Sequence, residues 1–160
     1  MQKLKILNSK EIKRLKQLLE KQFSHSFQED YAYLENENKH KIYIVTKNIA
    51  NIELEKLRID RYGIYLGELK WDQFRLSLEA SQLLYKDAKE NNVELSNVLE
   101  LTELELREYF KGMDLEKPEL SKESKLVLLK YKDDVFGCAK LKFGTLINFM
   151  PKIHRGEVIV

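Results

Sequence analysis

Six side chains near the C-terminus have the types and spacing for phosphate and base chemistry. Lys140, Lys142, Asn148, Lys152, His154 and Arg155 fall within 16 residues of one another. Ammonium and guanidinium groups bind phosphates largely through counterion release, while an amide, an imidazole and exposed backbone can read or orient bases. Pro151 biases Met150 toward extended backbone, which keeps the tail splayed. Formal charge is only +2, but it is unevenly placed. Residues 121–160 hold eight Lys and Arg against four Asp and Glu, and residues 1–120 hold 20 against 22. Clustering of this kind is an electrostatic footprint for nucleic acid. Lysines protecting strand edges would give the same count, and both readings stay open at this level.

Other chemistries find less support. The six glycines, at 63, 67, 112, 137, 144 and 156, compose neither a G-x-G-x-x-G nor a P-loop. His25, His40 and His154 are scattered, without the spacing of metal ligands. Cys138, the single cysteine, falls within an expected strand and reads as a small buried hydrophobe; without a second cysteine no intrachain disulfide forms, which fits a reducing, cytoplasmic setting. Glu103 and Glu105 lie on an expected solvated helix. Tyr62, Tyr65 and Trp71 can stack on bases if exposed, or serve as half-buried core. No cofactor is expected. Charged residues make up 34% of the chain and no apolar run approaches the roughly 20 residues of a membrane span, so a membrane protein is not expected either.

The elements that must position the basic cluster follow from periodicity. Leu126–Lys132 and Val135–Lys142 read as strands, with Leu146-Ile147 as a third and turns at Asp133-Asp134 and Phe143-Gly144. In the second strand Val135, Gly137, Ala139 and Leu141 should face one way, and Phe136, Cys138, Lys140 and Lys142 the other. Upstream, Ser9 is expected to cap a helix over 10–22 whose stripe is Ile12, Leu15, Leu18, Leu19 and Phe23. A hairpin of 31–34 with 41–46, one helical turn over 48–52, strands at 57–59 and 64–69, a turn at Gly63 and a bulge at Gly67 come next. Ser77 should cap a helix over 78–91 with Ala80, Leu84 and Ala88 inward. A strand at 93–95, a helix over 100–111 capped by Thr102 with Leu101, Leu104 and Tyr109 near one side, and a loop over 115–124 complete the reading.

These residues resemble a known family. The strand, turn, Phe136-Gly137-Cys138-Ala139 strand, Gly turn, Leu146-Ile147-Asn148 and Pro151-Lys152 with Arg155 look like the C-terminal half of a PUA domain, a small RNA-binding pseudobarrel. Asn148–Arg155 is most similar to the PUA-like tail of Sun-type rRNA cytosine-5 methyltransferases. Gly112-Met113-Asp114-Leu115 resembles the turn after the first PUA helix, where a glycine lets the backbone approach RNA; a plain helix stop at Gly112 is the alternative. The order of elements through Phe74-Arg75-Leu76-Ser77-Leu78-Glu79-Ala80 looks like the pre-PUA domain of nucleolar pre-ribosome assembly factors.

The resemblance implies an α+β protein, with an N-terminal α/β pre-PUA domain over 1–92 and a C-terminal PUA β-pseudobarrel over 93–160. It implies a non-enzymatic role, because Sun-type enzymes attack cytosine through cysteines of a catalytic domain that this sequence does not show. The implied partner is rRNA or tRNA, held through Gly112, Lys140, Lys142, Asn148, Lys152, His154 and Arg155 during RNA modification or ribosome assembly, with an RNA-modification enzyme or assembly factor as a further partner. The alternative is a protein-interaction adaptor or an in-trans accessory subunit of an RNA cytosine-5 methyltransferase.

Overall fold

The N-terminal sheet opens on a strand that periodicity does not assign. In the computed structural model, which describes residues 4–51, 53 and 62–157, β1 (Leu4–Ile6) pairs antiparallel with β2 (Tyr31–Asn36). Between them lies α1 (Ser9–Phe23), capped by Asn8 and not by Ser9. The reason is the spacing. Asn8 has Glu11 three residues on, so the Glu11 amide donates to Asn8 Oδ1 at 3.0 Å and the Asn8 amide donates to Glu11 Oε2 at 2.9 Å, whereas Ser9 has only Ile12 at that offset. Leu15, Leu19 and Phe23 are buried, as their stripe requires.

β3 (Lys41–Thr46) completes the expected hairpin, and a 3-10 turn follows over Lys47–Asn51. The strand expected at 57–59 falls outside the described residues. β4 (Ile64–Lys70) and β5 (Gln73–Leu76) finish a five-stranded antiparallel sheet whose spatial order is its sequence order. Leu66 is the extra residue of a bulge, since Ile42 faces Gly67 while Tyr43 faces Tyr65. Ser77 caps α2 (Leu78–Glu90) by accepting the Ala80 amide at 3.0 Å, and its hydroxyl donates to the Tyr65 carbonyl at 2.5 Å, tying the helix start to the sheet.

Val93–Leu95 is not a strand. Asn92 turns left-handed at φ +55° and the Val93 amide reaches back to the Ala88 carbonyl at 2.8 Å, so these residues close α2. The strand begins later, as β6 (Val98–Glu100), and Glu100 therefore precedes the helix that it was expected to start. Thr102 and Glu105 form a capping box for α3 (Glu103–Phe110). Leu104 faces water at 68% exposure, and Leu106 takes the inward place beside Tyr109. The expected loop over 115–124 contains a short strand, β7 (Leu115–Glu116), and a 3-10 turn at Pro118–Leu120.

β8 (Ser124–Tyr131), β9 (Asp134–Lys142) and β10 (Thr145–Ile147) form the expected meander inside a second sheet of order β6-β8-β9-β10-β7, with β6 parallel to β8. The first turn is Lys132-Asp133, one residue earlier than expected, with Lys132 at φ +52°. The strict alternation expected of β9 is also broken. Leu129 faces Gly137 but Lys130 faces Val135, so Phe136 is a bulge that reverses the phase of the strand's start. Phe136 accordingly joins Ala139 and Leu141 on one face, and Val135 joins Cys138 on the other.

Both faces of β8 and β9 are covered. Leu106 and Tyr109 of α3 pack with Val127, Leu129, Ala139, Leu141 and Leu146 on one side. On the other, Leu126, Leu128, Val135 and Cys138 share a core with Phe23, Phe27, Phe74, Ala80 and Leu84, so apolar packing runs without interruption across residue 92. Each large side chain fully buried here contributes about 1.5–3 kcal/mol. The fold is α+β, as expected.

Candidate nucleic-acid interface

The chain leaves β10 as an irregular tail, and Asn148 determines its course. Its amide nitrogen donates to the carbonyls of Tyr109 at 2.6 Å and Met113 at 2.9 Å, and its Oδ1 accepts the Met150 amide at 2.8 Å. The Asn148 backbone amide donates to Asp114 Oδ1 at 2.8 Å, and the Phe149 amide to the Tyr109 hydroxyl at 3.2 Å. Burial pushes the Tyr109 phenol up to about 12, partly offset by that Phe149 N–H. Asn148 is thus engaged with backbone and orients the tail.

Beyond Pro151 a 3-10 turn, Lys152–His154, leads to Arg155, all four side chains being exposed. Gly112 provides the bed for Arg155. It sits at φ +89°, and a Cβ there would lie 2.7–2.8 Å from the Arg155 guanidinium and Cδ. Arg155 Nε donates to the Met150 carbonyl at 3.1 Å, and the Gly156 amide to the Phe110 carbonyl at 2.9 Å. The close approach that Gly112 permits is therefore made by the chain's own arginine, while its positive φ ends α3 as a stop signal.

Six of the expected site residues thus divide by position. Gly112, Asn148, Lys152, His154 and Arg155 are assembled in one place by the end of α3 and the tail. Lys140 is the ladder partner of Ile147, at the end of β10 where the tail departs, but its ammonium reaches the seam between the sheets and donates to Gln73 Oε1 of β5 at 3.0 Å. A seventh, Lys142, is exposed at the hairpin end of β9 opposite Thr145, away from the end of β10 at which the tail departs. Among the described residues no carboxylate pairs with Lys140, Lys142, Lys152 or Arg155.

His154 also lines a cleft of about 450 Å³ between the tail and the start of α2. Arg75 of β5 lies there with its guanidinium 4.4 Å from the centre of the Phe149 ring, a cation–π contact, and donates to Glu68 Oε1 at 3.1 Å. Burial raises the Glu68 pKa, but the hydrogen bond from Lys70 and the charges of Arg75, Lys70 and Lys41 outweigh it, so the carboxyl is held below its usual range. Tyr65, also in the cleft, is pushed up to about 12 by burial and then by Glu68. Sequence reasoning passed over Arg75 and Phe149. The available signal was an arginine between two core residues, Phe74 and Leu76, in a strand one of whose faces must meet water.

Cys138 lines the same cleft but is buried, which pushes its thiol up to about 12. It is protonated at neutral pH. His25 is buried against Asp87, 2.6 Å from Oδ1, and joins the end of α1 to α2. Among the described residues no three His, Cys, Asp or Glu side chains assemble as a metal site, and no helix is long and apolar enough to cross a membrane.

Residues 96–155 match a family described as the methyltransferase RsmF PUA domain. The match spans β6 to the tail and includes Gly112 and the whole basic cluster. No curated protein matches the chain.

Proposed function

We propose that this PUA-domain protein holds structured rRNA or tRNA on the surface formed by the tail and the mouth of the cleft. PUA domains are general RNA-binding modules, and the observation that carries the proposal is the way the tail is fixed. Asn148 and Gly112 hold Lys152, His154 and Arg155 in one exposed group with no carboxylate partner among the described residues. A backbone path fixed before binding, with Arg155 held by the Met150 carbonyl, leaves chiefly side-chain ordering to be lost when a phosphate arrives, against which counterion release supplies the free energy. The role is binding and not catalysis, in RNA modification or ribosome assembly. That part is supported by Cys138, since attack on cytosine needs a thiolate and this thiol is buried and protonated.

The test is fluorescence anisotropy of the full chain against labelled tRNA and an rRNA fragment over a salt series. Wild-type affinity should fall steeply with salt, and the double variant Lys152→Ala/Arg155→Ala should bind more weakly with a salt slope smaller by about two. Indifference to the double substitution would remove the tail from the interface. Ile153, 86% exposed within the same turn, favours a protein-interaction adaptor as the second reading, and absence of RNA binding at low salt would turn the assignment to it.

A further inference from the structure

Trp71 is the one tryptophan of the chain, and it is 98% exposed. It occupies the first position of the two-residue turn joining β4 to β5, where Lys70 pairs with Gln73. Its φ is +59°, a left-handed conformation that glycine or asparagine adopts at little cost and a bulky aromatic rarely does. Neither burial nor turn chemistry explains a tryptophan here. Among the described residues its ring meets no other ring and no cation.

The surroundings indicate what the ring meets. Lys140 reaches from the second sheet to Gln73, two residues from Trp71, and among the described residues its ammonium has that neutral amide alone as partner. Lys70 precedes the tryptophan and is ion-paired to Glu68 at 2.8 Å; Asp72 follows it and is exposed. Polar neighbours of both signs flank the ring along the chain, and among the described residues the nearest exposed apolar side chain of β4 is Leu69, so the turn builds no wide apolar surround for a protein hot spot. A base needs less. One aromatic face and an adjacent cation for its phosphate suffice.

We propose that Trp71 stacks on an unpaired base of the bound RNA, with Lys140 receiving the neighbouring phosphate. RNA then contacts both sheets, from the tail to the β4–β5 turn. The inference rests on the RNA-binding reading above and extends it to the N-terminal sheet.

A single fluorophore makes the test direct. Full-length protein is titrated with a tRNA transcript and with a 12-nucleotide oligouridylate, following RNA anisotropy and tryptophan emission separately. Emission should be quenched with the same midpoint as the anisotropy change. Trp71→Ala should weaken binding about tenfold, Trp71→Phe should restore part of it, and Trp71→Asn should weaken binding while leaving thermal stability equal or higher. Binding by anisotropy with unchanged emission and an unaffected Trp71→Ala variant would overturn the stacking proposal and leave the tail site standing. Absence of any anisotropy change would bring down the RNA reading and this inference together.

Discussion

Replacing Asn148 tests the most connected part of the site. Alanine removes two donors and one acceptor, leaving the Tyr109 and Met113 carbonyls and the Met150 amide without their partner. Each such bond contributes about 0.5–1.5 kcal/mol net, so Asn148→Ala should cost about 2–4 kcal/mol. Aspartate is the sharper probe. It keeps the acceptor for Met150 but sets a carboxylate oxygen against two carbonyl oxygens, so at neutral pH Asn148→Asp should cost at least as much as alanine. Those carbonyls raise the folded-state pKa of the new carboxyl above its unfolded value of about 3.9. The protonated form is then the better tolerated. Stability of the aspartate variant relative to alanine should be greatest below the unfolded pKa and decline as pH rises through the folded one. Urea unfolding followed by far-ultraviolet circular dichroism at several pH values reads this directly. Trp71 emission would be a poor reporter, because that residue is already exposed. An alanine cost below about 0.5 kcal/mol, or an aspartate variant with no pH dependence of its own, would refute the view that Asn148 holds the tail.

Gly112→Ala should destabilise by about 1–2 kcal/mol and weaken RNA binding, because a Cβ at φ +89° is strained and displaces Arg155; urea unfolding and anisotropy on one preparation check both. Cys138 should resist a thiol-specific chromogenic reagent in the native state at pH 8 and react at once in concentrated urea, and rapid native labelling would contradict its burial. At Glu105, burial raises the pKa but the hydrogen bonds from Lys117 and Thr102 outweigh it, so the carboxyl sits below its usual range. Its stabilisation is present above the unfolded pKa and lost as pH falls, so acid midpoints should shift less in Glu105→Gln than in the parent. Asn8→Ala should cost about 1 kcal/mol while Ser9→Ala costs little, as compared by thermal unfolding.

The elements that sequence reveals most readily are those whose local and long-range preferences agree. The α1 stripe, the Ser77 and Thr102 caps, and the existence of the three meander strands between Leu126 and Ile147 follow from side-chain period and turn residues, though the first turn falls one residue earlier. What escapes is set by hydrogen bonds between distant residues. Leu4–Ile6 is a strand because Tyr31–Asn36 lies beside it, and Val93 caps a helix although its type favours a strand. Phe136 changes face through a bulge that no alternation rule contains. In the site, the basic types were legible but their assignments were not. Nothing in the local sequence tells that the Asn148 amide bonds to Tyr109 and Met113, or that the Lys140 ammonium meets Gln73 across 67 positions of chain.

The apolar packing shared by the two sheets has a consequence for how the protein is handled and inherited. Leu128, Val135 and Cys138 are shielded by Phe23, Phe74 and Leu84, side chains encoded more than 40 codons upstream. During synthesis the first sheet can form before the second has emerged, but it waits with an uncovered surface until β8 and β9 arrive. A gene fragment ending or starting at residue 92 would leave oily faces on both products. Exchange of the C-terminal part with a homologue should succeed only when those six positions are carried over as a set.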